Sequence, residues 1–365
     1  MQTQAFVLTN IGSAAQAFSF QEVSITPLKA GEVLIESEAF GLNYADVMAR
    51  LGLYREAPPR PCVIGYELVG RVIAVGSDVD ANVLGQRVLA FTRFGAYAKL
   101  AKTTANAIVC IDEMPAHEAL PFATQGVTAH YMAEVLSPIQ AHDKVLVHAA
   151  AGGVGSFLVQ LAKLKGATVF GKIGSDTKTA YLESLGVDHV INYKKEDYSK
   201  VLSDLLGDQK LSVSFNAVGG RTSKQDLKLM GPGGRLFLFG GADLATRSGL
   251  TGKLSFLWEM GLILPVGLMM QSKSLLGVNM LKIADQQPLV IQNSMLQMLE
   301  LYRNSKLKLP QIQPYTQAQF FEAHEALGNG QTTAKVVVLW DQAFALKKPF
   351  TKLNIGLRNK NSKMR

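Results

Sequence analysis

The stretch KVLVHAAAGGVGSFLVQLAKLK, residues 144–165, decides the fold class of this chain. It begins with an apolar run typical of a buried strand, passes through a glycine-rich turn, and continues with the apolar spacing of a helix. Gly152 and Gly153 let the backbone approach a pyrophosphate closely, and Gly155 lets the helix lie near the strand. The helix N-terminus adds N–H groups and a positive dipole. We therefore predict a dinucleotide-binding unit.

The glycine pattern departs from the usual G-x-G-x-x-G spacing at its first position, which is Ala150 here. The bare pattern is therefore weak, and the strand before it and the helix after it support the interpretation. A tight turn that holds no ligand is the alternative.

The alternation of strands and helices continues beyond this unit. We predict strands at 144–148, 167–171, 190–191, 213–216 and 235–239, and helices at 153–165, 177–185, 195–206 and 222–230. Strands separated by helices of about ten residues are typical of a doubly wound parallel sheet. The sequence thus predicts an α/β fold with a Rossmann-type domain over residues 121–310.

Residues 1–120 have a different pattern. Short β-type runs are predicted at 5–9, 33–39, 68–75 and 87–91, punctuated by Gly and Pro, with one helix at 43–51. This favours a β-rich, barrel-like unit. After helices at 289–302 and 317–327, the strand 335–339 is expected to rejoin that unit, so that 1–120 and 311–340 form one domain. A chain of 365 residues also exceeds the usual size of a single core.

The bulk composition is that of a folded globular protein, with 48% hydrophobic and 18% charged residues. Cys62 and Cys110 are the only cysteines, which excludes a disulfide framework and a Cys-x-x-Cys site and favours a reducing compartment. The first residues lack the basic start and the continuous apolar region of a secretory signal. We therefore expect a cytoplasmic protein.

The net charge of +8 is concentrated at one end of the chain. Residues 341–365 carry seven Lys or Arg against Asp341, a net charge of +6. The rest of the chain holds only +2, so we do not expect the fold to bind nucleic acid. This basic tail also contains apolar residues, and it is either a solvated extension or a weak contact with an anionic membrane surface.

Residues 254–270 are the most hydrophobic stretch of the chain. The stretch is shorter than the ~20 residues that span a bilayer, and it contains Glu259 and Pro265. We interpret it as a buried or dimer-facing segment that walls a substrate pocket, with attachment to a membrane surface as the alternative.

The end of the strand after the glycine turn decides between two dinucleotides. An NAD site needs Asp or Glu there to accept from the ribose 2′-OH, whereas this chain has KIGSDTK at 172–178. Gly174, Ser175 and Lys178 are placed to receive a 2′-phosphate, so we predict NADPH. The alternative is that Lys172 and Lys178 are ordinary charges that flank a helix.

Four motifs occur in a characteristic order: GLNYAD at 41–46, RLGLY at 50–54, GYELVGRV at 65–72 and AAAGGVG at 149–155. With them, residues 3–340 resemble the quinone oxidoreductases. These form the zinc-independent branch of the medium-chain dehydrogenases/reductases, which includes zeta-crystallin and the vesicle amine transport protein-like members.

The resemblance implies a partly open, GroES-like β-barrel as catalytic domain, with a Rossmann domain inserted in it and the cofactor in the cleft between them. It also implies a homodimer joined through the edge of the Rossmann sheet, here residues 274–279. Zinc-dependent relatives carry His where this chain has Tyr66, and they contain a run of four cysteines that is absent here. Catalytic zinc needs three good ligands, so we expect no metal site.

By position, Asn43 and Asp46 match a pair near the nicotinamide in this family, and Tyr54 matches a tyrosine that lines the substrate cleft. The implied reaction is hydride transfer from NADPH to a quinone or to the β-carbon of an enone. Asn43 and Tyr54 would orient or polarise the substrate oxygen, and solvent or Tyr54 would supply the proton. The alternative is that Asn43 and Asp46 only cap a helix.

The resemblance also assigns a set of cofactor contacts around the glycine turn, the following strands and the return strand. They are Asn43, Thr128, Gly152, Gly153, Val154, Gly174, Ser175, Lys178, Tyr193, Phe239, Gly240, Gly241, Asn279 and Lys335. Tyr193 is alternatively a tyrosine that covers the edge of the sheet.

Two functions follow from these observations. The first is an NADPH-dependent, zinc-independent oxidoreductase of quinones or α,β-unsaturated carbonyl compounds. The second is an NADPH-binding protein without significant turnover that is membrane-associated or structural. The hydrophobic stretch 254–270 and the basic tail favour the second, and the occupied positions Asn43, Asp46 and Tyr54 favour the first.

Overall fold

The computed structural model of the chain describes residues 1–245, 249–261, 263–333 and 335–341. The basic tail predicted at 341–365 lies outside these ranges except for Asp341. Within them, no helix combines the length and the apolar character that crossing a membrane requires.

The described strands form three sheets. They are β1 (Gln2–Leu8), β2 (Phe18–Ser24), β3 (Glu32–Leu42), β4 (Cys62–Val63), β5 (Glu67–Val75), β6 (Arg87–Phe91), β7 (Leu100–Thr104), β8 (Ile108–Cys110), β9 (Lys144–Val147), β10 (Thr168–Ile173), β11 (His189–Asn192), β12 (Leu211–Asn216), β13 (Met230–Leu238), β14 (Ser274–Gly277), β15 (Ile312–Thr316) and β16 (Lys335–Leu339).

The described α-helices connect and cover these sheets. They are α1 (Ala14–Ala17), α2 (Tyr44–Arg50), α3 (Ala116–Ala119), α4 (Thr124–His130), α5 (Gly153–Leu164), α6 (Thr179–Ser184), α7 (Tyr198–Leu206), α8 (Arg221–Leu229), α9 (Ala242–Ala245), α10 (Gly249–Met260), α11 (Pro265–Met270), α12 (Met280–Gln286), α13 (Pro288–Arg303) and α14 (Phe320–Gly328).

The six-stranded sheet is parallel throughout, in the order β11-β10-β9-β12-β13-β14. Val145, Leu146 and Val147 in β9 are fully buried because sheet neighbours flank the strand on both sides and side chains cover both of its faces. Helix α5 follows the glycine turn and buries Phe157 and Leu158. The predicted doubly wound Rossmann sheet is confirmed.

The first unit contains a seven-stranded and a three-stranded sheet. Strand β3 lies at its centre and pairs with β5, β7 and β16. The return strand β16 therefore closes this unit, where its Val336–Leu339 lie opposite the end of β3. Phe6, Phe40 and Phe320 pack together in its core. The GroES-like architecture is confirmed, while the boundaries at 120 and 310 stay predictions.

Several predicted helices differ from the observed ones by a few residues at their ends, and two of them show why. The helix predicted at 195–206 begins at Tyr198, because the Asp197 carboxylate accepts from the backbone N–H groups of Ser199 and Lys200 and so caps the helix there. The helix predicted at 222–230 ends at Leu229, and Met230 already belongs to β13.

Residues 254–270, predicted to be a buried or dimer-facing segment, are only partly covered by this chain. Phe256 is buried over Gly219 and Gly241. Trp258, Met269 and Met270, however, are 83%, 72% and 79% exposed. The apolar segment is divided between two separate helices, α10 and α11, of 12 and 6 residues.

Candidate cofactor and active site

The glycine turn forms between β9 and α5, where Gly152 caps the helix and Gly153 and Val154 form its first turn. A Cβ atom at Gly155 would lie 2.4 Å from the carbonyl oxygen of Ala149, and a backbone atom does not move aside easily. The glycine therefore permits close approach of helix and strand, as the sequence predicts. The first backbone N–H groups of α5 remain available, and they fit the pyrophosphate of a dinucleotide.

Gln125 was not predicted as a site residue, although its side chain lies directly against the turn. A Cβ atom at Gly153 would be 2.0 Å from the Gln125 amide. Gln125 is only 7% exposed, and its Oε1 has no hydrogen-bond partner among the described residues. A buried amide oxygen without a partner is costly and suits a ligand that donates to it. A lone amide within the apolar run around 125 was the signal available in the sequence.

The predicted adenosine end of the site lies where β10 ends. A Cβ atom at Gly174 would lie 2.9 Å from the Tyr193 hydroxyl, so these two predicted residues are in contact. Tyr193 is half-exposed, and Ser175 caps the turn that follows. The Lys178 ammonium is half-buried and donates to the carbonyl oxygen of Thr332 at 3.0 Å.

Asp176 is the acidic residue closest to this end of the site in sequence, and its charge is compensated. Its Oδ1 accepts from the Asn192 amide at 2.5 Å, and its Oδ2 is paired with the Lys195 ammonium. Both interactions lower the pKa of Asp176. The carboxylate is therefore engaged with other protein groups rather than free to accept from a ribose.

A buried polar network lies beneath the adenosine end. We define the Asp226 cluster as His148, Lys172, Tyr198, Ser214, Asn216 and Asp226. The Asp226 carboxylate accepts from Ser214 Oγ at 2.8 Å, Asn216 Nδ2 at 2.7 Å and the Tyr198 hydroxyl at 2.9 Å. It also lies 2.9 Å from His148 Nε2. His148 is thus a hydrogen-bonded core residue.

Lys172 completes this cluster and is 5% exposed, so it is not an ordinary surface charge. Its Nζ lies 3.4 Å from His148 Nδ1, and 5.0 Å and 3.7 Å from the ring centroids of Tyr193 and Tyr198. Burial lowers the pKa of Lys172 to about 8, against the attraction of Asp226. Burial also lowers the pKa of His148, which is therefore neutral at pH 7.

The remaining predicted contacts at the sheet edge have local structural roles. A Cβ atom at Gly240 would lie 2.6 Å from the carbonyl oxygen of Ala217, so the neighbouring loop already requires a glycine there. The Asn279 side chain accepts from the N–H groups of Leu281 and Lys282 and caps α12. Phe239 and Gly241 follow β13 at the same edge of the sheet.

A second buried polar network lies at the end of β3. This strand positions the predicted catalytic residues. We define the Glu67 cluster as Asn43, Glu67, Thr124 and Lys335. Glu67 accepts from Asn43 Nδ2 at 2.8 Å and from the Thr124 N–H at 2.7 Å, and it forms an ion pair with Lys335. Lys335 is fully buried, and its ammonium also lies 3.3 Å from Asn43 Oδ1.

Asp46 lies beside this cluster and is completely buried. Its Oδ2 accepts from the Asn43 N–H at 2.8 Å, so the pair does cap α2. Burial raises the pKa of Asp46 to about 7, and the nearby Glu67 carboxylate acts in the same direction against the hydrogen bond from the Asn43 N–H. Asp46 therefore holds a proton close to neutral pH.

Tyr54 lies in the loop after α2, half-buried, with its ring 6.3 Å from that of Tyr66 in an edge-on arrangement. Burial raises the pKa of Tyr54. Tyr66 is 2% exposed and also packs against Phe94. The phenol of Tyr54 is therefore protonated at neutral pH and able to donate.

Helix α4 joins the two parts of the site. Gln125 contacts the glycine turn, while the adjacent Thr124 binds Glu67. Thr128, one turn further, donates to the Thr124 carbonyl oxygen at 2.6 Å and lies on the same helix. The predicted dinucleotide turn and the predicted catalytic residues are thus connected through direct contacts.

Two further observations concern other kinds of site. A cavity of about 700 Å³ lies between β7 and α12–α13 and includes none of the predicted site residues, so we do not place the active site there. In the part of the chain that the structure describes, no three His, Cys, Asp or Glu side chains are grouped to hold a metal ion.

Comparison with known proteins assigns the family. Residues 29–136 match the alcohol dehydrogenase GroES-like domain, and residues 153–299 match the domain described as zinc-binding dehydrogenase. A quinone oxidoreductase of Salmonella typhimurium is 32% identical over 227 residues, which cover 61% of this chain and 69% of that protein. This chain belongs to the zinc-independent medium-chain dehydrogenases/reductases.

Two other members of this oxidoreductase family are similar over most of the chain. The human synaptic vesicle membrane protein VAT-1 homolog is 30% identical over 282 residues, which cover 76% of this chain and 71% of that protein. The structure of Escherichia coli quinone oxidoreductase complexed with NADPH matches with a TM-score of 0.78 and 25% identity, covering 92% of this chain and 99% of that one.

Proposed function

We propose that this medium-chain oxidoreductase uses NADPH to reduce quinones or α,β-unsaturated carbonyl compounds. The observation that carries the proposal is the direct connection, through α4, between the glycine turn and the Glu67 cluster. The Escherichia coli relative, whose structure contains NADPH, supports the choice of cofactor. The quinone oxidoreductase relatives support the substrate class.

Bound NADPH would supply a hydride from its nicotinamide ring. The backbone N–H groups at Gly153 and Val154 would hold the pyrophosphate, and a ribose hydroxyl or the carboxamide of the nucleotide would donate to the unpaired Gln125 oxygen. Gly174, Ser175, Lys178 and Tyr193 would surround the adenosine phosphate, and Phe239, Gly240, Gly241 and Asn279 would line the opposite end.

The catalytic residues would act on the substrate oxygen. Glu67 and Lys335 fix both ends of the Asn43 amide, which leaves one amide hydrogen to donate. Tyr54 holds its proton at neutral pH and is half-buried, so it suits a proton donor to that oxygen. Asp46 holds the Asn43 backbone through its hydrogen bond and orients the amide.

The direct test is steady-state NADPH oxidation against a panel of quinones and enones. We expect turnover of the wild type and a lower kcat in Tyr54→Phe with little change in NADPH binding. Tyr302→Phe, at a partly buried tyrosine on α13 that contacts Glu118 and is not a predicted site residue, serves as the control. Saturable NADPH binding without turnover of any substrate would contradict the proposed reaction.

The edge of the Rossmann sheet supports a homodimer. Strand β14 ends the sheet and has one pairing partner, β13, among the described strands. The exposed apolar helix α11 directly precedes it. We expect two copies to join here and to cover Met269 and Met270, and analytical ultracentrifugation that finds only monomer would exclude this arrangement.

The exposed residues of α10 and α11 also favour the second function, an NADPH-binding protein at a membrane surface. Trp258, Met269 and Met270 would insert their side chains among lipid headgroups. Cosedimentation with anionic vesicles distinguishes the two functions. Equal pelleting of the wild type and of Trp258→Ser removes the membrane role.

A further inference from the structure

The Asp226 cluster has no part in the proposed reaction, yet it places a lysine under the adenosine end of the site. Lys172 lies near the end of β10, and Gly174 directly follows the last residue of that strand. Tyr193 contacts both positions: its hydroxyl approaches Gly174, and its ring lies over the Lys172 ammonium.

The hydrogen bonds in this cluster fix the charge of each member. A neutral imidazole has one donor nitrogen and one acceptor nitrogen. His148 Nε2 faces the Asp226 carboxylate and must donate, so Nδ1 is the acceptor that faces Lys172. Although burial would raise it, the pKa of Asp226 is lowered by His148, Ser214 and Asn216. The carboxylate is therefore ionised without needing the lysine in direct contact.

We propose that Lys172 determines the preference for the 2′-phosphorylated nucleotide, with its ammonium held beneath Tyr193 by the His148–Asp226 pair. This inference rests on the proposed use of NADPH. The ammonium is largely desolvated and has no carboxylate in direct contact, so its field is weakly screened. A phosphate dianion bound at Gly174 and Tyr193 would experience that field, whereas the 2′-hydroxyl of NADH would not.

The surroundings of Lys172 also predict a proton linkage. The titratable and charged groups that face it are His148, Tyr193, Asp197, Tyr198 and Asp226. Neither of the two carboxylates, Asp197 and Asp226, lies directly against the Lys172 ammonium. The pKa of Lys172 is about 8 in the protein without nucleotide. An incoming phosphate dianion raises that pKa, so binding above about pH 8 takes up protons.

The first experiment is an equilibrium titration of wild type, Lys172→Met and Lys200→Met with NADPH and NADH. Lys200→Met is the matched control, because Lys200 is an exposed lysine on α7, the helix that carries Tyr198. We expect Lys172→Met to weaken NADPH binding by about tenfold or more and NADH binding by less than about twofold. We expect Lys200→Met to leave both unchanged.

An unchanged ratio of NADPH to NADH affinity in Lys172→Met would overturn the inference. Failure of the wild type to bind either nucleotide would instead contradict the proposed function. The two failures are therefore distinguishable.

The second experiment needs no variant, which guards against misfolding of Lys172→Met. Calorimetry at about pH 8.5, in two buffers with different ionisation enthalpies, measures protons taken up on binding. We expect NADPH to cause proton uptake by the wild type and NADH to cause none. Equal proton exchange for both nucleotides would overturn the inference, and loss of the difference in Lys172→Met would support it.

Discussion

The two buried polar networks of this protein differ in how each lysine meets its carboxylate. In the Glu67 cluster, Lys335 contacts Glu67 directly, and both side chains are fully buried. In the Asp226 cluster, neutral His148 separates Lys172 from Asp226, and three further donors satisfy the carboxylate. Direct pairing makes the first network rigid and intolerant of change. Because the His148 imidazole separates Lys172 from Asp226, the Lys172 ammonium can still respond to an incoming anion.

The largest effect that tests this comparison is expected for Lys335→Met. The substitution leaves the Glu67 carboxylate buried without a cation, which costs about 3–5 kcal/mol of unfolding free energy. Urea denaturation measures the loss as a lower midpoint. The double variant Glu67→Gln with Lys335→Met removes both charges and should recover most of the stability, and equal losses in both variants would contradict the direct pairing.

A second prediction concerns Asp46, beside the Glu67 cluster. Its pKa is about 7 in the folded protein and about 4 in an unfolded chain. Between these two values the folded state keeps a proton on Asp46 that the unfolded state releases. The contribution of Asp46 to the free energy of unfolding is therefore largest below about pH 4 and is lost as the pH rises to about 7. Asp46→Asn lacks this dependence. The free energy of unfolding of the variant, relative to that of the wild type, should rise by about 2–4 kcal/mol from pH 4 to pH 8.

Denaturation midpoints of both proteins across that range measure the effect. A constant difference in stability between wild type and Asp46→Asn would show that Asp46 has an ordinary pKa. The corresponding neutral substitution of the exposed Asp78 should give a constant difference and serves as the control.

Lys178→Ala tests the exposed side of the adenosine site. The half-buried Lys178 ammonium would contact the 2′-phosphate. The preference of the variant for NADPH over NADH should therefore fall by about tenfold. Nucleotide affinities from fluorescence titration provide the measurement. The same preference before and after substitution would remove Lys178 from the phosphate site.

The smallest effect is expected on the stability of Lys172→Met. In this variant the Asp226 carboxylate keeps its four hydrogen-bond donors, and only His148 Nδ1 loses its partner. We therefore expect the free energy of unfolding to fall by about 1 kcal/mol. Urea denaturation of Lys172→Met and Lys335→Met under the same conditions measures the loss of stability in each variant. A loss as large as that of Lys335→Met would mean that the two networks hold their lysines in the same way.

Local patterns in the sequence were sufficient to predict the glycine turn, the parallel sheet and the last strand itself. These features depend on spacing within short segments, as in the β9–α5 unit. The Glu67–Lys335 pair joins residues 268 positions apart, and no local period indicates such a contact. The same holds for His148 and Asp226, 78 positions apart.

The sequence left open whether residues 254–270 are buried in their own chain or face a partner. Hydrophobic composition indicates that a segment favours burial, but it does not say whether its own chain or a partner covers it. Phe256 is covered by this chain, whereas Trp258, two residues further on the same helix, is 83% exposed.

The most direct test of the whole account is fluorescence titration of the wild-type chain with NADPH and with NADH. We expect saturable binding of both nucleotides, with NADPH bound more tightly, and loss of binding in Gly155→Ala, where the added Cβ would meet two backbone carbonyl oxygens. Absence of saturable binding of either nucleotide by the wild type would contradict it.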